Sequence, residues 1–397
     1  MILVHEFGHY SAGKILHFKI NEFSIGFGKA IFSKTKKNGE KFSLRIFPLG
    51  GYCAFEGEDE EKSNSPDAFN NQKPWKRLIV LFMGAFFNFL SAVIFAIIFL
   101  MAFGYQDKVQ VTSVNVPIGY ESNWLQKGDI IYAVNGKHTN FVYDEYFTTL
   151  IANYDEGENF NVSVLRDGKT IELEIFKSWF NCPSKVDNDT TRRLYALNDL
   201  DYSYAVKYES GLYKFYEINN PEKTYTVDFD GHVVIGGAKF FVNIDEVSNI
   251  DEITISYSKV GINTQNYRYG FFEAIGQSFV FCFGWAWKIL LILFQLISGK
   301  ILLTSMGGTV TTVVTIAQVT QNNIASLLLL IPIISINLAV FNLLPFPALD
   351  GARMVFVLIE MIRRKPINRK IEGTIHFIGL IVLLAFVLLV DILHFVL

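Results

Sequence analysis

Charge is scarce in this sequence: 18% of its 397 residues are Asp, Glu, Lys or Arg, against 51% hydrophobic and 15% aromatic. A soluble globular domain charges about a quarter of its residues, so a surface wholly exposed to water is excluded. Net charge is only −3, and no basic tail or basic recognition helix is present to bind nucleic acid. Cysteine is scarcer still. Cys53, Cys182 and Cys282 stand far apart without C-x-x-C spacing, which argues against a disulfide framework and a cysteine zinc knuckle. Only Met1-Ile2-Leu3-Val4 precede the first polar motif, too few for the apolar region of a cleavable signal peptide. Internal repeats and low-complexity runs are also lacking.

What is present at that start is His5-Glu6-Phe7-Gly8-His9. On a helix, H-E-x-x-H puts two imidazoles one turn apart on one face, where both reach one Zn²⁺. The Glu between them then lies beside the metal, placed to act as general base on water. A five-residue pattern with two free positions also arises by chance, so the reading needs a third ligand.

Three segments are long and apolar enough to span a bilayer, which takes about 20 residues. Leu78–Phe103 carries no charge. The second lies in the uncharged stretch Ile301–Leu349, most apolar from Ile324 to Leu344, and the third runs from Thr374 to Val390. The helix carrying His5 is a fourth, shortened span. Orientation follows from the loops: residues 11–77 hold twelve Lys/Arg, and 353–370 hold six against one acid. Residues 105–270 hold fifteen Lys/Arg against twenty-four Asp/Glu. The first two regions are therefore expected in the cytoplasm and the third outside. Phe271–Ser298 is apolar, broken by Glu273 and Lys288. Were it to cross, Asp350 would face away from His5 and His9, so parity predicts a helix lying in the outer interface.

The outer region is rich in strand signals. Asn135-Gly136 follows Ile130–Val134, and Asp167-Gly168 separates two alternating runs; both are hairpin turns by composition. Thr224–Phe229 alternates into Asp230-Gly231. Residues 178–270 contain strands but assign to no particular domain.

Asp350 is the only charged residue between Lys300 and Arg353. A carboxylate at the end of an apolar membrane segment is costly unless paired, metal-bound or hydrated at the interface. Pro345 and Pro347 cannot continue a helix, so the backbone breaks just before it.

With these residues the chain resembles the bacterial site-2 protease family, intramembrane zinc metalloproteases of the kind that cleave anti-sigma factors. The resemblance rests on H-E-F-G-H at 5–9 and Asn342-x-x-Pro-x-Pro-x-Leu-Asp350-Gly351. Phe23–Lys29, Pro48–Tyr52, Ala68–Asn71 and Gly84-x-x-x-Asn88 add to it, and Gly128-Asp129 to Gly136 looks like the family's inserted PDZ domain. Two departures are Ala85 and Gly308, where the family often has proline. A third is the shortness of the apolar run before His5, which leaves three readings: a displaced start, a fragment, or a helix entering one leaflet.

The resemblance implies a polytopic α-helical membrane protein of the bacterial cytoplasmic membrane. About four transmembrane helices, the first truncated, and an inserted β-rich, PDZ-like extracytoplasmic domain are expected. The implied boundaries are a truncated first helix at 1–18, a cytoplasmic segment with a membrane-associated β-loop at 19–77, and a second span at 78–104. A PDZ-like domain at 105–177 is followed by a β-rich extension at 178–270 and an interfacial helix at 271–300. The third span with its Leu-Asp-Gly motif occupies 320–352 and the fourth 372–394. Zinc would be held by His5, His9 and Asp350 with water at the fourth position, and Glu6 would move the protons. Asn342 would hydrogen-bond substrate backbone or oxyanion, or else pack helices. Gly50 and Gly51 would lie on a loop that pairs with an unwound substrate, or else form an ordinary turn. The PDZ-like domain would act as size filter, tether or spacer. The expected substrates are single-span membrane proteins and signal-peptide remnants, within a lipid bilayer and without nucleic acid. A protease with a water-facing site needs another downstream ligand, and a silent scaffold has no use for Glu6.

Overall fold

The computed structural model describes residues 1–58, 65–115, 123–143, 145–152, 154–155, 157–181, 184–188, 191–195, 202–209, 212–217, 220–227, 232–235, 238–242, 255–301, 316–317 and 324–396. Cys182, the Asp230-Gly231 turn and Gly308 lie outside them. Two compact units form, one from Met1–Phe103 with Tyr269–Leu397 and one from Gly104–Arg268. The principal helices are α1 (Ile2–Ile15), α2 (Pro74–Phe103), α3 (Phe147–Leu150), α4 (Phe271–Ile297), α5 (Ile324–Leu343), α6 (Asp350–Arg363) and α7 (Arg369–Val396).

Among the described residues of the first unit, four helices are long and apolar enough to cross a membrane: Pro74–Phe103, Phe271–Ile297, Ala325–Leu343 and Arg369–Ile392. Helices suit that setting because all backbone groups pair within the segment. The four are not the expected four. With 14 residues, α1 is about 21 Å long, short of the ~30 Å hydrocarbon core, and α4 qualifies instead.

The helix expected to lie flat in the interface at 271–300 is α4, and it runs antiparallel along α2. Tyr269 N–H donates to Leu100 O at 3.2 Å, and further along both helices the Phe283 ring lies 5.0 Å from that of Phe89. The parity expectation took the chain from α4 to α5 as staying on one side; that connection, 302–323, lies almost wholly outside the described residues. α5 is antiparallel to α2 as well. Met1 Sδ lies near both Ser91 and Ser335, while Asn88 and Asn342 both reach His5.

Between α1 and α2 the chain folds into two long bent strands, β1 (Ile20–Thr35) and β2 (Lys41–Phe55). The bend lets one stretch of β1 pair on both sides. Ile25 faces Gly51 and Leu44, Ser24 faces Tyr52 and Ser43, and Phe23 faces Cys53 and Phe42. Leu44 to Lys41 in turn pair with Phe32 to Thr35. Residues 51–55 therefore form an open edge of this sheet. Phe18, Ile20, Phe55, Phe69, Ala12, Val80 and Val357 bury together beneath it, tying the sheet to α1, α2 and α6. A buried ion pair, Arg77–Glu360 at 2.6 Å with Arg369 at 3.0 Å from the same carboxylate, joins the starts of α2 and α7 to the end of α6.

The second unit is β-rich. Its largest sheet orders Ile262–Tyr267, Tyr105–Val114, Ile130–Val134, Phe160–Arg166 and Lys169–Ile175, all antiparallel, with Lys137–His138 against Ile130–Val134. Trp124, Leu125, Ile131, Phe160, Val162, Val164 and Ile175 fill its core. Asn135-Gly136 and Asp167-Gly168 have positive φ at both positions, the geometry that matches the twist of a two-residue hairpin. A buried Asp129, bridged by both ends of the Arg166 guanidinium at 2.7 Å, closes the core. A five-stranded meander from Ser184–Asn188 to Asn220–Thr226 follows. A four-stranded sheet then brings Ile255–Lys259 back against Ser178–Asn181. The sequence had left 178–270 without a domain assignment.

Candidate metal centre

Three donors converge although more than three hundred residues separate them. Asp350 Oδ2 lies 2.9 Å from His5 Nε2 and 3.3 Å from His9 Nε2, and the two Nε2 atoms are 3.1 Å apart. Among the described residues this is the group of His, Cys, Asp and Glu whose donor atoms could hold a metal ion. Two ligands each about 2.1 Å from a tetrahedral Zn²⁺ lie about 3.4 Å apart, so the spacing fits.

Tautomer strengthens the fit. His9 Nδ1 is 2.8 Å from Val80 O; a carbonyl only accepts, so Nδ1 carries a proton, and in the neutral ring Nε2 keeps its lone pair. Asp350 Oδ2 is buried without a hydrogen-bond partner. Lone pairs and a carboxylate oxygen facing one another repel unless a cation lies between them. His5 Nδ1 lies 3.3 Å from the Asn88 amide and 3.4 Å from that of Asn342, while the fully buried Asn88 leaves its Oδ1 unpartnered. An amide presents oxygen and nitrogen at nearly the same places. With Asn88 turned, Oδ1 accepts the His5 Nδ1 proton and frees His5 Nε2 as well.

The local sequence explains how each side arrives. α1 and α2 approach until a Cβ on Gly8 would lie 2.3 Å from Met83 O, and one on Gly84 would lie 2.4 Å from His9 Nε2 and 2.7 Å from His5 Cε1. Glycine at 84 makes the cradle in which the two rings stand edge to face, centroids 4.7 Å apart. On the other side α5 ends at Leu343 and α6 begins at Asp350. The intervening segment holds Pro345, Pro347 and an Ala348 with φ +83°, a left-handed conformation that L residues other than glycine rarely adopt.

Glu6 points at the open edge of β2, where its Oε2 accepts the Cys53 N–H at 3.1 Å. Gly51 lies on that edge, the site of its Cβ 3.7 Å from Glu6 Cγ, and Gly50 lies against the Phe27 ring. The Asn342 amide is at Nδ1 of His5, the ring edge away from Asp350. A cavity of about 520 Å³ is lined by His5, Glu6, His9, Asp350, Tyr52, Cys53, Arg353 and His376, among others. A second, of about 300 Å³, is lined by Glu58, Arg77, Arg353, Arg369, Glu372 and His376. Sequence reasoning passed over His376 and the Glu58–Arg353 ion pair. The available signal for His376 was a polar residue at the head of an apolar run.

The molecule is similar to known proteins along its whole length. A sequence model of peptidase family M50 matches residues 1–386. A Fusobacterium nucleatum protein is 28% identical over 99% of this chain and 94% of its own. One from Clostridium perfringens is 28% identical with the same coverage, and one from Campylobacter jejuni 25% identical over 98% of this chain and 88% of its own. All three carry the name "Putative zinc metalloprotease".

Proposed function

The chain belongs to peptidase family M50, and from that premise we propose that it is a zinc endopeptidase that cuts peptide bonds of single-span membrane proteins within the bilayer. The observation that carries this reading is the convergence of His5, His9 and Asp350 with Glu6 at their side, in a unit whose helices are apolar enough to cross a membrane. His5 and His9 from α1 and Asp350 from the start of α6 are the proposed ligands. Zinc bound there supplies a Lewis acid that polarises the scissile carbonyl.

Glu6 does the proton work. As water oxygen adds to the carbonyl carbon, Glu6 accepts a water proton, and it returns one to the amine as the C–N bond breaks. The Cys53 N–H fixes the carboxylate for that task. Val80 O holds His9 and Asn88 holds His5, as outer hydrogen bonds commonly orient metal-ligating imidazoles. His5 Nδ1 has one proton to give, so Asn342 is left free to donate to substrate backbone or oxyanion. The open edge at 51–55 supports pairing with an unwound substrate strand, because a helix hides its carbonyls from hydrolysis.

We assign 1–18 to a short first helix, 19–77 to the cytoplasmic side with its β-loop, 105–177 to an extracytoplasmic PDZ-like domain that sizes or tethers substrates, and 178–270 to its β-rich extension. Regulated intramembrane proteolysis in the bacterial cytoplasmic membrane, on anti-sigma factors or signal-peptide remnants, follows from the family resemblance. The test is cleavage of a transmembrane model substrate: Glu6→Gln should lower turnover about 10²- to 10⁴-fold with zinc retained. Asp350→Ala should lose zinc. Equal processing by Glu6→Gln and the unaltered chain would sink the assignment.

A further inference from the structure

His376, on the second turn of α7, holds the segment that delivers Asp350. Its Nδ1 lies 2.9 Å from the backbone nitrogen of Ala348, the residue with the left-handed φ two positions before Asp350. One turn along the same face, Gly379 lets Pro347 approach until a Cβ there would be 2.3 Å from Pro347 Cβ. α7 is thus fitted to this loop at two points.

The Ala348 contact also fixes the tautomer. A backbone N–H can only donate, so Nδ1 of His376 accepts, and in the neutral ring the proton resides on Nε2. That Nε2 is buried and has no partner among the described residues, an arrangement that costs stability unless something fills it. The ring lines the cavity that contains His5, Glu6, His9 and Asp350. It is packed edge to face on Phe356, centroids 5.6 Å apart, so its orientation is held.

We infer that His376 is a substrate-binding residue whose Nε2–H donates to a backbone carbonyl of the peptide in the zinc cavity. The chemical class it recognises is an unwound peptide segment: carbonyls within a helix are already bonded, whereas an extended one leaves acceptors free. The Ala348 N–H and the substrate carbonyl would then satisfy opposite edges of one ring, linking substrate binding to the loop that bears Asp350. This inference rests on the protease reading above.

Two isosteric changes separate the edges. His376→Asn keeps an oxygen where Nδ1 accepts from Ala348 and removes the donor; His376→Gln keeps a donor near the place of Nε2. Binding of a transmembrane substrate peptide to the full-length, zinc-loaded protein is measured in a Glu6→Gln background, where turnover does not interfere. His376→Asn should weaken binding about 3- to 10-fold with zinc content unchanged, and His376→Gln should recover part of it. Unchanged binding by His376→Asn, loss of zinc in proportion to binding, or a Gln variant no better than Asn would each overturn the role. Failure of the protease reading shows separately, as no cleavage by the unaltered chain.

Discussion

The two sides of the candidate metal centre are built in opposite ways. His5 and His9 come from a regular 14-residue helix, held by glycine-mediated contact with α2 and by a backbone carbonyl. Asp350 comes from the break between two helices, on a loop with two prolines and a left-handed alanine, held by α7. The first side is rigid through close packing, since neighbouring backbones leave no room to shift. The second is positioned by a few specific contacts, so small changes at α7 should move it.

The largest test of that contrast compares two glycines. Gly84→Ala puts a methyl group 2.4 Å from His9 Nε2 and 2.7 Å from His5 Cε1, so the helices must separate or both rings must leave their places. Zinc per chain should fall towards zero and cleavage by about 100-fold or more. Gly379→Ala pushes on Pro347 instead. The loop can give, so zinc binding should weaken about 10-fold with a measurable saturated level of metal. Metal titration of both variants decides: equal zinc loss would erase the distinction between rigid and adjustable sides.

How much of this was legible follows the same division. His5, Glu6 and His9 could be read because their geometry is set by one helical turn, and a local period shows in local sequence. Asp350 could be read because a lone charge in an uncharged stretch is conspicuous. What could not be read are the partners that use backbone: Val80 O, Cys53 N–H and Ala348 N–H carry no signature in residue identity. The double pairing of residues 23–25 was hidden for a related reason, since it depends on a bend rather than on alternation. The antiparallel course of α4 along α2 was hidden because parity counts crossings and says nothing of what lies between them.

A smaller effect should separate the two asparagines near His5. Asn88 is fully buried and Asn342 only partly. Asn88→Ala removes the acceptor for the His5 Nδ1 proton and should weaken zinc binding about 10-fold. Asn342→Ala should leave zinc binding alone and slow cleavage about 10-fold. A zinc affinity lowered by Asn342→Ala and not by Asn88→Ala would reverse their assignment.

The smallest effect lies in the sheet that carries the open edge at 51–55, where charge as well as packing holds the strands. Burial opposes ionisation of Glu22, yet hydrogen bonds from Ser43, Arg45 and Tyr52 outweigh it and bring its pKa from 4.5 down to about 2. Glu40 is likewise opposed by burial and lowered to about 2 by Lys14, Lys36, Tyr10 and Asn38. A folded-state pKa below the unfolded value stabilises the fold above the unfolded pKa, and the gain disappears as pH falls through the folded one. Order in the sheet should therefore be constant above pH 4.5 and decline between 4.5 and about 2. Hydrogen exchange of residues 41–55 across that range measures it. Glu22→Gln should flatten part of the decline, because an amide does not titrate. Protection of α1 amides should change less than that of β2 over the same window if packing holds one side and charge as well as packing the other.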